Sequence, residues 1–176
     1  RAVELSASLA GEPIFADRAA LALGSYDDDF EALAGVFERM LARWPEAARA
    51  WFLQGKVAEN GEDWNAALRS YRKAVELGPD DGEVRLACIR ALLVAREKQH
   101  AGAAEAALAE RRRELMDHCV AAAALIQEQD TGGHMILGYG FRAAGDLMRA
   151  AENFGLAAVD EELRLVHIGE HHAVAD

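Results

Sequence analysis

Small and apolar residues recur at helical spacing along this chain, most clearly near its centre. Ala67, Tyr71 and Ala74 fall at i, i+4 and i+7, on one face of a helix, and Trp51 and Gly55 lie four apart on the helix before it. Gly61 separates the two and Pro79 stops the second. The same pattern predicts further helices on either side. Phe30, Leu33, Phe37, Met40 and Leu41 share one side of a helix over 30–43, closed by Pro45. Leu86, Ile89, Arg90, Leu92 and Leu93 fall in a helix over 83–97, with Asp80 and Glu83 spaced as a capping box. Residues 2–9 can form two turns, stopped by Gly11 and Pro13, and 14–23 form a helix broken at Gly24 and Ser25. Residues 101–129 contain no proline and one early glycine, Gly102, so they read as one helix roughly double the usual length. Asp130, Thr131, Gly132 and Gly133 break it, a helical pair follows over 134–158, and Leu163, Val166 and Ile168 make 161–168 amphipathic. The expected fold is all-α, with about ten helices.

Two helices joined by a short turn must bury their facing sides. Gly55, Ala67 and Ala74 let the backbones approach, while Trp51 and Tyr71 fill the remaining space. Pro45 and Pro79 stand 34 residues apart. This unit resembles the tetratricopeptide repeat (TPR), a 34-residue helix-turn-helix. Gln54 and Ala58 depart from the pattern, where leucine and an aromatic are usual, and Met40 stands where a small residue is usual. Near the end, Leu137, Gly138 and Phe141 match the first-helix signature, and Ala150, Phe154 and Ala157 repeat the spacing of Ala67, Tyr71 and Ala74. The string AVEL occurs at both 2–5 and 74–77, as if the chain began inside an earlier unit. The resemblance implies one antiparallel helix-hairpin solenoid over 1–176, a right-handed superhelix. Its units would be 14–45, 48–81, 82–130 with an extended second helix, and 131–162, with a capping helix over 161–172. A rival division starts a new repeat at Met116 and places Tyr139 in the slot of Tyr71, but it leaves Glu105 in an aromatic slot, so the insertion is preferred.

Composition narrows the function. A net charge of −11 disfavours nucleic acid, whose phosphates need a basic surface. No apolar run is long enough to insert into a membrane. Two cysteines, Cys88 and Cys119, are too few for a disulfide framework and suit small core positions in a reducing, cytoplasmic setting. No nucleophile elbow, phosphate loop or dinucleotide-binding glycine pattern occurs, and GYGF at 138–141 lies inside a predicted helix. No cofactor is implied and the chain is expected not to be an enzyme.

Three side-chain groups carry residue types that other chemistry uses. His167 and His171 are four apart, beside Glu170 and His172, but a polar C-terminal tail explains them better than a metal site. Asp27–Asp29 lack the alternate spacing and glycine turn of a calcium loop and suit the start of a helix, where carboxylates accept from free N–H groups. His118 beside Cys119 is expected at the surface or its boundary, with no nucleophilic pair formed.

The resemblance places the first helix of each unit along a concave groove. Carried onto this chain, it implies groove positions at Phe15, Arg18, Ala22 and Tyr26, then at Phe52, Lys56, Glu59 and Asn60. Leu86, Arg90 and Val94 follow, and Met135, Tyr139 and Arg142 come last. Arg18, Lys56, Arg90 and Arg142 would make the groove cationic beside Phe52 and Tyr139, suiting a peptide with acidic and apolar side chains. The alternative is that these cations pair with neighbouring acids on a solvated face. The carboxylate clamp of chaperone-binding repeats is missing, since its slots hold Arg18, Ala22, Leu53, Glu83 and Ala87. The expected function is a non-catalytic interaction or scaffold module, with a protein or peptide partner or homo-oligomer assembly. The other reading is the repeat portion of a larger glycosyltransferase, sulfotransferase or transcription activator.

Overall fold

A computed structural model describes residues 30–99, 105–127 and 130–158. The helices expected at 2–9, 14–23 and 161–172 lie outside the described residues, as do Phe15, Arg18, Ala22, Tyr26, Asp27–Asp29 and the C-terminal histidines. Within the described residues there are seven helices and no strand. They are α1 (Phe30–Arg43), α2 (Ala48–Asn60), α3 (Trp64–Leu77), α4 (Gly82–Gln99), α5 (Glu105–Ala123), α6 (Thr131–Ala144) and α7 (147–158). Each helix from α1 to α6 packs on the next, and α4 also packs on α6. Phe154 of α7 lies against Gly138 of α6.

The central hairpin forms where the spacing predicted it. Gly61 closes α2, and its N–H donates to the Val57 carbonyl. Glu62 takes a left-handed φ of 58°, and the Asp63 side chain then caps α3 by accepting from Ala66 N–H at 2.9 Å. Ala67, Tyr71 and Ala74 are fully buried, and a Cβ at Gly55 would overlap the Tyr71 ring. Trp51 contributes beyond packing, because its indole N–H donates to the Pro45 carbonyl at 2.8 Å and fixes how α1 leads into α2.

Three boundaries differ from the sequence reading. The cap of α4 is Asp81, which accepts from Val84 N–H at 3.1 Å, rather than Asp80. The helix α6 starts at Thr131, not His134, because Asp130 accepts from Gly133 N–H at 2.8 Å and the glycines form its first turn. A Cβ at Gly133 would strike that carboxylate, so glycine there serves the cap instead of breaking a helix. The long helix expected over 101–129 is shorter. The helix α5 has 19 residues and ends at Ala123, where Leu125 and Ile126 N–H both donate to the Ala122 carbonyl. The extra length is shared, since α4 has 18 residues against 13 in α2. Met116 lies inside α5, so no unit begins there.

The core runs continuously from Phe37 and Met40 on α1, through Phe52, Tyr71 and Ile89, to Leu137 and Phe141 on α6. Burying each large side chain contributes about 1.5–3 kcal/mol before entropy is counted. Three helices meet at Gly140, where a Cβ would come within 2.5 Å of Cys119 Sγ and 3.1 Å of Ile89 Cγ2. A glycine at this point brings α6 onto α4 and α5 together.

Candidate functional site

The helices α2, α4 and α6 carry the described residues assigned to the groove. On α6, Met135, Tyr139 and Arg142 recur at i, i+4 and i+7 and share one face. Met135 is 37% and Tyr139 43% exposed. The Tyr139 ring meets Phe154 edge-on, with centroids 5.2 Å apart and planes at 75°. The Arg142 guanidinium lies 5.0 Å from the Tyr139 ring centre. Tyr139 is thus held between an aromatic behind it and a cation beside it, with much of its surface open.

Phe52 is 1% exposed and cannot contact a partner directly. Its ring packs at 5.8 Å from Tyr71, with the Arg49 guanidinium 4.5 Å and Lys56 Nζ 5.4 Å from its centre. Phe52 is floor, and the cations above it are the surface. Asn60, at the end of α2, is exposed. Leu86 and Val94 are half-buried on α4.

Arg90 is committed to a pair. Its guanidinium meets the two Glu59 carboxylate oxygens at 2.8 Å each, and the Tyr71 hydroxyl also donates to Glu59. Burial alone would raise the Glu59 carboxyl. The hydrogen bonds from Arg90 and Tyr71 and the charges of Arg90 and Lys56 outweigh that and hold it below the usual carboxylate range. Burial and the Glu59 bond push the Tyr71 phenol up, so it remains a donor. The expected line of four basic side chains is therefore altered in its described part, where Arg90 pairs with an acid and Lys56 and Arg142 sit on rings.

Arg49 was missed. It donates to Glu83 at 2.9 Å and lies 3.9 Å from Asp81, tying α2 to the start of α4. Arg49 and Glu83 are 34 residues apart, one repeat length, and that spacing was the available signal. Among the clamp slots, Leu53 and Ala87 are buried and Glu83 is paired.

His118 is buried, not at the surface. Its Nε2 lies 3.4 Å from Cys88 Sγ, so these side chains do meet. They do not form an activated nucleophile. Burial pushes both the Cys88 and Cys119 thiols up to about 12, and burial lowers His118. A neutral imidazole beside a protonated thiol is core packing with one polar contact. No group of three or more His, Cys, Asp or Glu side chains among the described residues is placed to hold a metal ion. No helix among the described residues is long and apolar enough to cross a membrane.

Solved structures of MamA match this arrangement. MamA RS-1, as the ArsTM double mutant, superposes with a TM-score of 0.63 at 19% identity, over 92% of this chain and 83% of that one. This chain has the tetratricopeptide-type fold. MamA MSR-1 gives a TM-score of 0.55 at 18% identity, over 87% of this chain and 79% of its own. MamA AMB-1 gives 0.53 at 19% identity, over 88% and 82%. No family model matches the sequence, and no curated protein does either. Identities this low carry the helical-repeat architecture and nothing finer. The repeat reading of the central and last hairpins agrees with that architecture.

Proposed function

We propose that this chain is a non-catalytic protein-interaction module whose partner lies across α2, α4 and α6. In this reading residues 1–176 form one solenoid, with Phe15, Arg18 and Tyr26 extending the same face before α2. The observation that carries it is Tyr139, open to solvent yet braced by Phe154 and Arg142, with Met135 one turn away. A pre-ordered aromatic beside arginine and methionine loses little entropy on binding, which is how interface anchors work. Lys56, Arg49 and Asn60 add a polar flank. Arg90 acts through the pair it makes with Glu59, by holding α2 against α4. The partner best suited is a peptide segment that presents an apolar side chain to Tyr139 and an acidic one to Arg142.

The test is capture from native lysate with the full chain as bait, beside a Tyr139→Ala, Arg142→Ala variant. Both side chains are exposed, so the helical signal should persist. Loss of a salt-sensitive partner from the variant alone is the expected result. Identical capture by parent and variant would remove α6 as the anchor.

A further inference from the structure

On α7, Leu147, Ala151 and Gly155 recur at i, i+4 and i+8 with Ala158 on the same side, and all four are exposed. Leu147 is 69% exposed and the neighbouring Met148 72%. The register that aligns Ala67, Tyr71 and Ala74 with Ala150, Phe154 and Ala157 also aligns Trp64, Leu68, Arg72 and Val75 with this row. On α3 that row forms the joint to the next unit. Leu68 is buried, Trp64 and Val75 pack against the core, and Arg72 reaches Glu114 of α5. The row on α7 therefore continues the face through which units join, at the end of the described residues.

Gly155 has no reason within the fold to be glycine. A Cβ there would meet nothing within 4 Å, and its φ is not left-handed, so neither a close neighbour nor a turn requires it. Glycine inside a helix weakens that helix relative to alanine. A helix arriving from outside accounts for it, because glycine lets a neighbouring side chain come down onto the backbone. Along the row the side chains are large, small and absent. Read backwards they are absent, small and large, so in size the row is its own complement.

From this row we infer that α7 docks antiparallel on α7 of a second copy of the chain, about a two-fold axis at Ala151. Leu147 of each copy enters the space at Gly155 of the other, and the two Ala151 methyl groups meet at the axis. Each copy gives and receives the same contact, as a two-fold interface requires. Charge favours the same face. Two chains of net charge −11 repel each other, and the row that meets its copy holds no charged side chain. The segment 161–168 is the competing cover, but Leu163, Val166 and Ile168 would set bulk against Leu147 as well as against Gly155. A twelve-residue helix spans about 18 Å, which makes the interface smaller than the standard size and the dimer a concentration-dependent one.

The experiment is sedimentation velocity of the full chain from micromolar to near-millimolar concentration, at low and high salt. The parent should pass from monomer to dimer, and the dimer should tighten as salt screens the repulsion. Leu147→Asp should abolish the dimer while leaving the melt of the dilute protein unchanged. Gly155→Leu should weaken the dimer roughly tenfold or more. Leu147→Gly combined with Gly155→Leu should restore it, because the exchanged row is again its own complement. A parent that stays monomeric throughout would overturn the dimer, and a Leu147→Asp variant that then melts lower would assign the face to 161–168. A dimer indifferent to Leu147→Asp, an exchanged row that does not recover pairing, or an open series of larger species would each overturn the two-fold contact. Tyr139→Ala combined with Arg142→Ala should leave the dimer intact. Capture through Tyr139 weakens with salt where this dimer tightens, so the two faces stand or fall separately.

Discussion

Gly138 lies under the Phe154 ring as Gly55 lies under the Tyr71 ring, and the two members of each pair are sixteen residues apart. In both hairpins an aromatic of the second helix occupies the space that a Cβ on the first would need. The two sites differ in how freely the ring can retreat. Tyr71 is fully buried and its hydroxyl is tied to Glu59, whereas Phe154 is half-buried with no polar group to hold it. Gly55→Ala should therefore destabilise by about 2–3 kcal/mol, from overpacking against an immobile ring. Gly138→Ala should cost about 1 kcal/mol or less, because alanine regains helix propensity while Phe154 shifts outward. Urea melts of the two single variants measure the difference, and equal costs would show that the Tyr71 tether does not hold the ring in place.

The Glu59 carboxylate collects Arg90 of the next unit and Tyr71 of its own, so it joins three helices at one point. Its folded pKa lies below the ordinary value of 4.5, so its stabilisation is fully present above that value and is lost as pH falls through the folded value. Glu59→Gln should cost about 1–2 kcal/mol at neutral pH and flatten the acid limb of the stability profile. Arg90→Glu would set two carboxylates against each other in a half-buried position and should destabilise the fold. Combined with Lys56→Glu it should also lower the melting temperature, so it is a poor probe of binding. A double variant that melts like the parent would show that the pair is solvated and worth little.

The elements that were legible in the sequence are those fixed by neighbours along the chain. Gly55, Ala67, Tyr71 and Ala74 announced a hairpin because each belongs to a periodic pattern within one repeat. Ala150, Phe154 and Ala157 did the same near the C-terminus. The end of α5 was not legible, because nothing local ends it. Residues 123–126 are Ala, Ala, Leu and Ile, with no glycine or proline. The chain turns there and brings Leu125 against the start of α4, where a Cβ at Gly82 would sit 3.2 Å from Leu125 Cβ. The fate of Arg90 was equally hidden, because its partner lies 31 residues away on a helix whose rotation the sequence does not specify.

His118 gives the fold a second pH dependence, nearer neutrality. Burial lowers its pKa from 6.5, opposed by Glu114 and Asp117 and reinforced by Arg85 and Arg72. The unfolded chain takes up the proton first as pH falls. Stability is therefore full above 6.5 and declines below it, levelling off once the folded imidazole also titrates. Melting temperatures between pH 7.5 and 5 should fall, and His118→Leu should remove part of that slope by keeping the position uncharged. An identical slope in the variant would place the titrating group elsewhere.

The meeting of α4, α5 and α6 at Gly140 can be tested by exchanging volume across the contact. Gly140→Ala places a methyl group against Cys119 Sγ, and Cys119 is fully buried, so the sulfur has nowhere to move. The single variant should lose about 1–3 kcal/mol through overpacking. Cys119→Ala alone should lose about 1–2 kcal/mol by leaving a small void. If the two side chains contest the same space, the double variant should be more stable than the sum of the two losses predicts, with a coupling of about 1–2 kcal/mol. Ile89 Cγ2, at 3.1 Å from the same Cβ, limits the rescue, because it blocks the other side of the new methyl group. Ile89→Leu in the same background, which removes the Cγ2 methyl group while keeping the side-chain volume, should then recover part of the remainder. Strict additivity of Gly140→Ala and Cys119→Ala would mean that α6 does not rest on α5 at this point, and the close packing of the third unit against the fourth would have to be rebuilt around another residue.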